Sequence, residues 1–234
     1  MTGPLEPLSP TDRTTVKREQ DHAVTDRAAL HALLREGLVA HLGVVKDDHP
    51  VVLPVAYAVD LDGPDDHGTL YVHGSVAADW LRRSVDATVC VTVTELDGLV
   101  LARSGFNSSM NYRSAVVIGT VRLVDDVDER DHALDLIVDH VVPGRAAALR
   151  RPTRKELAAT AVLAVPLREA SLKVSEGGPD DEPEDVEAGT WGGHVPLRRV
   201  ADAPVSDPAT PGEVPEHVLQ RARDLGWDGG YDGA

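Results

Sequence analysis

A mainly β fold, an antiparallel barrel closed or half closed with helices set between its strands, is predicted by three features of the sequence. Aromatic residues make up 3% of the chain while valine abounds, so the core has to be built from β-branched and aliphatic side chains, which suit a pleated surface. Apolar runs of strand character recur at 38–45, 51–59, 69–73, 87–94, 114–124 and 161–166, which offers six strands. The connections Lys46–Pro50 and Asp62–Asp66 are too short for a crossover helix, so the strands they join run antiparallel. Closing such strands into a barrel removes edges that would otherwise pair with other chains.

In chain order, residues 1–24 are polar and read as an arm. Leu30, Leu33, Leu34 and Leu38 then fall on one helical face, with Thr25 or Asp26 as N-cap and Gly37 as the stop. Helical spacing returns at 75–83 and 127–141, and again after Pro152, where Thr153 and Glu156 have the spacing of a capping box. The barrel domain is expected over 25–175, an acidic loop and a last packing segment (Trp191–Leu197) over 176–200, and a mobile tail over 201–234 with one or two helical turns at 215–225. The loop 176–185, dense in acid, Gly and Pro, reads as a solvated excursion.

With 23 Lys and Arg against 39 Asp and Glu, the net charge of −16 opposes contact with nucleic acid or anionic lipid, so neither is expected as a partner. No apolar run approaches the ~20 residues that span a bilayer. The first residues have neither the basic start nor the apolar stretch of a signal peptide, and a cytoplasmic protein is expected. Cys90 is the sole cysteine, inside an apolar run, so it reads as a buried thiol and no multi-cysteine metal site is available within one chain. P-loop, G-x-G-x-x-G, G-x-S-x-G and H-E-x-x-H motifs are all missing.

What remains is a set of polar residues at strand ends. His73 closes a strand and is followed by Gly74 and Ser75 at an expected helix start, a natural place for a phosphate; the alternative is a helix-capping serine and a histidine satisfied by a carbonyl. Arg113, in the polar run 107–114, is suited to clamp a phosphate, a carboxylate or a haem propionate, or else to pair with one of the many acids. His41 and His22 read as structural or solvent-facing, and Lys173 is a weaker candidate at the end of the last strand.

The stretches HLGVVKDDHPVVLPVAYAV, LYVHGS, VCVTVTELDGLVLARSGF, SSMNYRSAVVIGTVRLV, VPGRAAALRRPTRKELAATAVLAVPL and WGGHVPL, in this order, resemble the pyridoxamine 5′-phosphate oxidase-like, FMN-binding split barrels, and in particular the 5-nitroimidazole-resistance reductases. The resemblance spans roughly residues 13–197. It implies a six-stranded split barrel, a homodimer with two cofactor sites at the subunit interface, and an FMN-dependent oxidoreductase acting on a small organic molecule. Residue by residue, it implies that Val51, Val52, Leu53 and Pro54 lie along the isoalloxazine, that His73, Gly74 and Ser75 begin the phosphate side with His73 beside flavin and substrate, and that Arg113, Ser114 and Lys173 line the same cleft.

The chain departs from that pattern where the flavin should be held. Ala78-Asp79 stands for an expected serine-arginine pair, exchanging a phosphate-binding cation for an anion. His22 replaces an arginine, Thr25 an aromatic residue, Asn107-Ser108 a histidine pair and Ser175 an arginine, the last of these arguing against a pyridoxamine-phosphate oxidase proper. Two other readings of the same cleft therefore stand beside FMN: haem, with His73 as its axial ligand and Arg113 as a propionate partner, or a binding or regulatory dimer without a cofactor.

Overall fold

The computed structural model describes residues 5–8, 11–210 and 212–229. Met1–Pro4, where a leader was sought, and the last residues of the tail lie outside them. In order come β1 (Ala23–Val24), α1 (Arg27–Glu36), β2 (Ala40–Lys46), β3 (His49–Val55), β4 (Tyr57–Asp60), β5 (Thr69–Ser75), α2 (Asp79–Ser84), β6 (Thr88–Leu101), β7 (Ser109–Thr120) and β8 (Arg122–Leu123). There follow α3 (Val127–Val141), α4 (Arg154–Ala159), β9 (Thr160–Pro166), β10 (Ala170–Ser175), α5 (Pro183–Glu187), β11 (Gly193–Pro196) and α6 (Glu216–Asp224).

Two antiparallel sheets form an open, split barrel. One runs β1-β10-β7-β6-β2-β3, with β11 added on the far half of β6; the other runs β4-β5-β9-β8. The apolar run 51–59 is cut at Ala56, so that β3 and β4 belong to different sheets, and the run 114–124 is cut at Val121. These breaks, together with β1, β10 and β11, turn the six expected strands into more numerous ones, while β6 (14 residues) and β7 (12 residues) run beyond the apolar runs that predicted them. The connections 46–50 and 62–66 join antiparallel neighbours as their length requires.

Period-2 burial fills the space between the sheets: Val89, Val91 and Val93 of β6 and Ala115 and Val117 of β7 point inward, each no more than 2% exposed. Helix α1 lays Leu30, Leu33 and Leu34 on this core. Its start is set by the Asp26 carboxylate accepting from Ala28 N, and it stops at Gly37, whose N–H bonds Leu33 O. Helix α4 carries the complete capping box of Thr153 and Glu156. Helix α3 covers the four-stranded sheet through Ala133 and Ile137, which meet Ala58, Tyr71 and Val162.

The other expected helix is shorter than its sequence pattern. Residues 75–78 form a turn, with Ser75 Oγ accepting from Ala77 N and Ser75 O from Ala78 N, and α2 begins only at Asp79. The acidic loop is also not uniformly solvated: Asp181, its side chain 2% exposed, accepts from the backbone N and Nη1 of Arg103. Cys90 is half-buried, on the outward face of its sheet. In the tail, Arg221 of α6 donates to the carbonyls of Val141 and His140 at the end of α3. No helix among the described residues is long and apolar enough to cross a membrane.

Tyr57 ties these layers together. It is fully buried; its ring lies tilted against that of His140 of α3, centroids 4.7 Å apart, and its hydroxyl faces Leu34 O (2.7 Å) and Gly37 O (3.0 Å), carbonyls at the end of α1. Tyr57→Phe removes the side-chain donor to Leu34 O, while Gly37 O keeps His140 Nε2 at 2.7 Å, and is expected to cost about 1 kcal/mol in denaturant unfolding. An unchanged midpoint would show that the hydroxyl is dispensable.

Candidate functional site

The ladder pairings place several of the predicted residues on one outward face of the larger sheet. Across the strands, Pro54 lies opposite His41, His41 opposite Thr92, and Thr92 opposite Val116. In the neighbouring row Val52 lies opposite Gly43, and Gly43 opposite Cys90. Ser114 sits between Thr94, to which its hydroxyl bonds at 2.8 Å, and Lys173. Gly43 leaves a floor without a side chain between Val52 and Cys90. Val52 and Val45 are 62% and 68% exposed, so this face is both apolar and open. Lys173 bonds Glu19 of the arm at 2.7 Å, which lifts its pKa further.

Three predicted members, Val51, Leu53 and Arg113, do not share this face; Val51 lies opposite buried Val44 and packs on the core. Leu53 lies opposite buried Leu42 and points into the barrel, as the residue between Val52 and Pro54 must. Arg113 is separated from Ser114 by the same alternation. Its guanidinium takes Glu36 of α1 with two nitrogens and Asp97 with two (both 2.9 Å), so the ion-pair alternative describes it and the shared cleft does not. These contacts hold the Glu36 carboxyl below its ordinary value.

His73 stands elsewhere again, on the face of the smaller sheet that α3 covers, opposite Val162 in the ladder. It lines a groove of about 430 Å³ walled by Leu134, Ile137 and Val138 of α3, by Leu149, and by Leu157 and Thr160. Its ring is open to the groove, yet loss of water around it pushes the imidazole below its ordinary pKa, favouring the neutral, lone-pair-bearing form. One arginine reaches this groove, Arg150, held by both oxygens of Glu156. The haem reading had assigned that part to Arg113, which is engaged on another surface. Sequence reading missed Arg150 because the run RAAALRRPTRKEL carries five cations with no spacing that singles one out.

The helix start expected to seat a phosphate at Gly74-Ser75 is not formed there. With α2 beginning at Asp79, Ser75 stands at a turn and not at a helix start. Gly74 serves packing: a Cβ there would come within 2.9 Å of the Trp80 ring and 3.0 Å of Leu81. Asp79, expected to repel a phosphate, is itself neutralised by Arg83 (2.9 Å), Lys46 (3.4 Å) and Arg82 (3.6 Å). Asp47 also binds Arg83, so three cations face two carboxylates. Among the described residues no group of three or more His, Cys, Asp or Glu side chains is placed to hold a metal ion.

A split barrel of two antiparallel sheets with an apolar outward face and a separate histidine groove defines the class of protein. The pattern of the pyridoxamine 5′-phosphate oxidase family matches residues 26–174, and the chain belongs to that family. It is similar to the FAD and haem binding protein from Mycobacterium smegmatis, with 41% identity, 86% of this chain and 97% of that one covered, and a TM-score of 0.78. It is likewise similar to the flavocytochrome Anf3 from Azotobacter vinelandii, with 35% identity, coverage of 92% and 98%, and a TM-score of 0.84. A 5-nitroimidazole antibiotic resistance protein from Bacteroides thetaiotaomicron shares the fold at 23% identity, with 65% and 86% covered and a TM-score of 0.52. No curated protein matches the chain.

The Arg113 cluster makes a pH-dependent contribution that can be measured. Because the Glu36 pKa is depressed in the folded protein, its stabilisation is complete above its ordinary value of 4.5 and fades as pH falls through the lowered one. Arg113→Gln is therefore expected to destabilise by about 1 kcal/mol at pH 7, a figure reduced for partial exposure, and by less at pH 3. A penalty equal at both pH values in denaturant unfolding would contradict this.

Proposed function

We propose that this protein is a redox protein that holds a flavin and a haem at two separate sites, and that it acts as a homodimeric oxidoreductase on a small organic molecule. The observation that carries this reading is the placement of His73. It lies in an apolar groove of the smaller sheet, apart from the outward face of the larger sheet that carries Val52 and Pro54 on β3 and Ser114 on β7. FMN and haem, competing occupants of one cleft when read from sequence, are assigned to separate places in this reading.

The residues of the His73 groove fit a haem. His73 would supply a neutral imidazole to the iron, the leucine, isoleucine and valine walls would take the macrocycle, and Arg150, paired with Glu156, would face a propionate. The outward face fits an isoalloxazine: Val52 and Pro54 are apolar, Gly43 leaves room beside them, and Lys46, Arg82 and Arg83 supply cations on the side where phosphates would lie. When bound, flavin and haem together supply exchange between two-electron and one-electron chemistry. This chain's own groups would line the ring faces with apolar side chains, favour the neutral form of His73 and set cations against phosphate and propionate.

Similarity to a protein that binds FAD and haem supports FAD over the FMN expected from the sequence. The exposure of Val45 and Val52 supports a second copy of the chain covering the outward face, as the resemblance implies. The absorption spectrum of the purified full chain tests the reading. Flavin bands together with a Soret band are expected, with FAD released on denaturation. His73→Ala should remove the Soret band and leave the flavin bands in place. A colourless protein, or a Soret band that survives the substitution, would overturn the assignment.

A further inference from the structure

A cavity of about 590 Å³ lies between the N-terminal arm, the first turn of α1 and the turn that joins β9 to β10. No residue of the His73 groove lines it. On its wall is Arg27, a charged side chain only 3% exposed. Burying a guanidinium ordinarily demands a carboxylate partner. Among the described residues Arg27 has no carboxylate within ion-pair distance: its Nε donates to Glu6 O (2.9 Å) and its Nη1 to Leu167 O (3.3 Å), no bond of Nη2 is formed there, and the Glu6 carboxylate acts on it only at longer range.

The surroundings do not repair this deficit. Glu169 on the wall is taken up by Arg13 and by Thr11, and Glu6 offers Arg27 its backbone carbonyl while the residue is exposed. Arg168 and His67 add two further cationic or donor groups, Arg168 being 73% exposed with a single bond to Asp66 at 3.3 Å. One turn beyond Arg27, buried His31 keeps Nε2 without a partner. Its charged form is disfavoured by burial first and then by Arg27, Arg35 and His67, with Asp26 acting the other way.

We propose that this cavity is an oxyanion site, seating a phosphate or the phosphate of a small monoester on Arg27, with His67 and Arg168 at its mouth. A guanidinium fork pairs naturally with such an oxyanion, and the bound charge would supply the counter-ion that Arg27 lacks. The site is independent of the flavin and haem reading, since none of its argument passes through either group.

Calorimetric titration of the full chain, carrying whatever chromophore it retains, with inorganic phosphate at constant ionic strength tests the proposal. Saturable binding with one phosphate per chain is expected, with absorption bands unchanged. Arg27→Gln should weaken it roughly ten- to hundredfold, the worth of a charge-assisted hydrogen bond. Arg168→Gln, at an exposed position, should weaken it about threefold while the melting temperature without phosphate stays put, and Arg168→Glu should weaken it more. The Arg168 variants carry the test if Arg27→Gln does not fold. Adenosine 5′-monophosphate binding tighter than phosphate would identify a monoester as the occupant, and equal affinity would identify free phosphate. Absence of saturable heat, or binding unaltered in the Arg168 variants, would overturn the site.

Discussion

The register between β6 and β7 is the constraint on which the rest depends. These two strands pair from Thr88 with Thr120 to Val100 with Ser109, and a single irregularity between Leu96 and Gly98 is all that interrupts them. Because side chains alternate, this one ladder decides that Val89, Val91, Val93, Ala115 and Val117 enter the core and that Cys90, Thr92, Thr94, Ser114 and Val116 face outward. A slip by one residue would exchange the two sets and place threonines where α1 lays its leucines. The strands β2 and β10 on either side inherit their facing from it, through Gly43 opposite Cys90 and Lys173 opposite Ser114. The outward apolar face and the buried core are thus two consequences of the same hydrogen bonds.

How much of this was legible in the sequence depended on how far apart the deciding groups lie. Helix limits were readable wherever a side chain bonds its own neighbourhood: Asp26 on Ala28, and Thr153 with Glu156. The short turns that force antiparallel pairing were readable for the same reason. Arg113 was not, because its partners Glu36 and Asp97 come from a helix and from a neighbouring strand, and no local pattern says which acid among 39 will meet it. Alternation alone, however, forbids Arg113 and Ser114 from lining one cleft once both are placed in a strand, so that expectation conflicted with its own premise. The start of α2 was misplaced because Ser75 satisfies Ala77 in a turn, which looks locally like a cap.

Charge follows a similar division. The chain carries a large acidic excess, and several of its arginines are met by carboxylate pairs: Arg113 by Glu36 and Asp97, Arg122 by Asp65 and Glu129, Arg151 by Asp131 and Asp135. Asp79 illustrates why residue identity at one position is a poor guide to local potential, since an aspartate in place of an expected arginine is surrounded by Lys46, Arg82 and Arg83. Against this background Arg27 stands out. In a protein so rich in carboxylates, a buried guanidinium bonded to carbonyls alone keeps positive potential inside the fold where the arm folds back on α1.

The division of the chain into two sheets also decides what can be near His73. Ala56 ends β3, and the next residue begins a strand of the other sheet, so that Val52 and His73, close in the order of the barrel runs, belong to different layers. On the smaller sheet, β5 brings Tyr71 beneath α3 and His73 just past the point where that helix covers the strand completely. The same spacing that buries Tyr71 therefore leaves His73 at the rim of an apolar groove, desolvated enough to disfavour its charged form and open enough to reach a ligand. A histidine two residues earlier would be a core residue, and one carried on β3 would belong to the outward face; the chemistry available to His73 follows from where α3 ends its cover of β5.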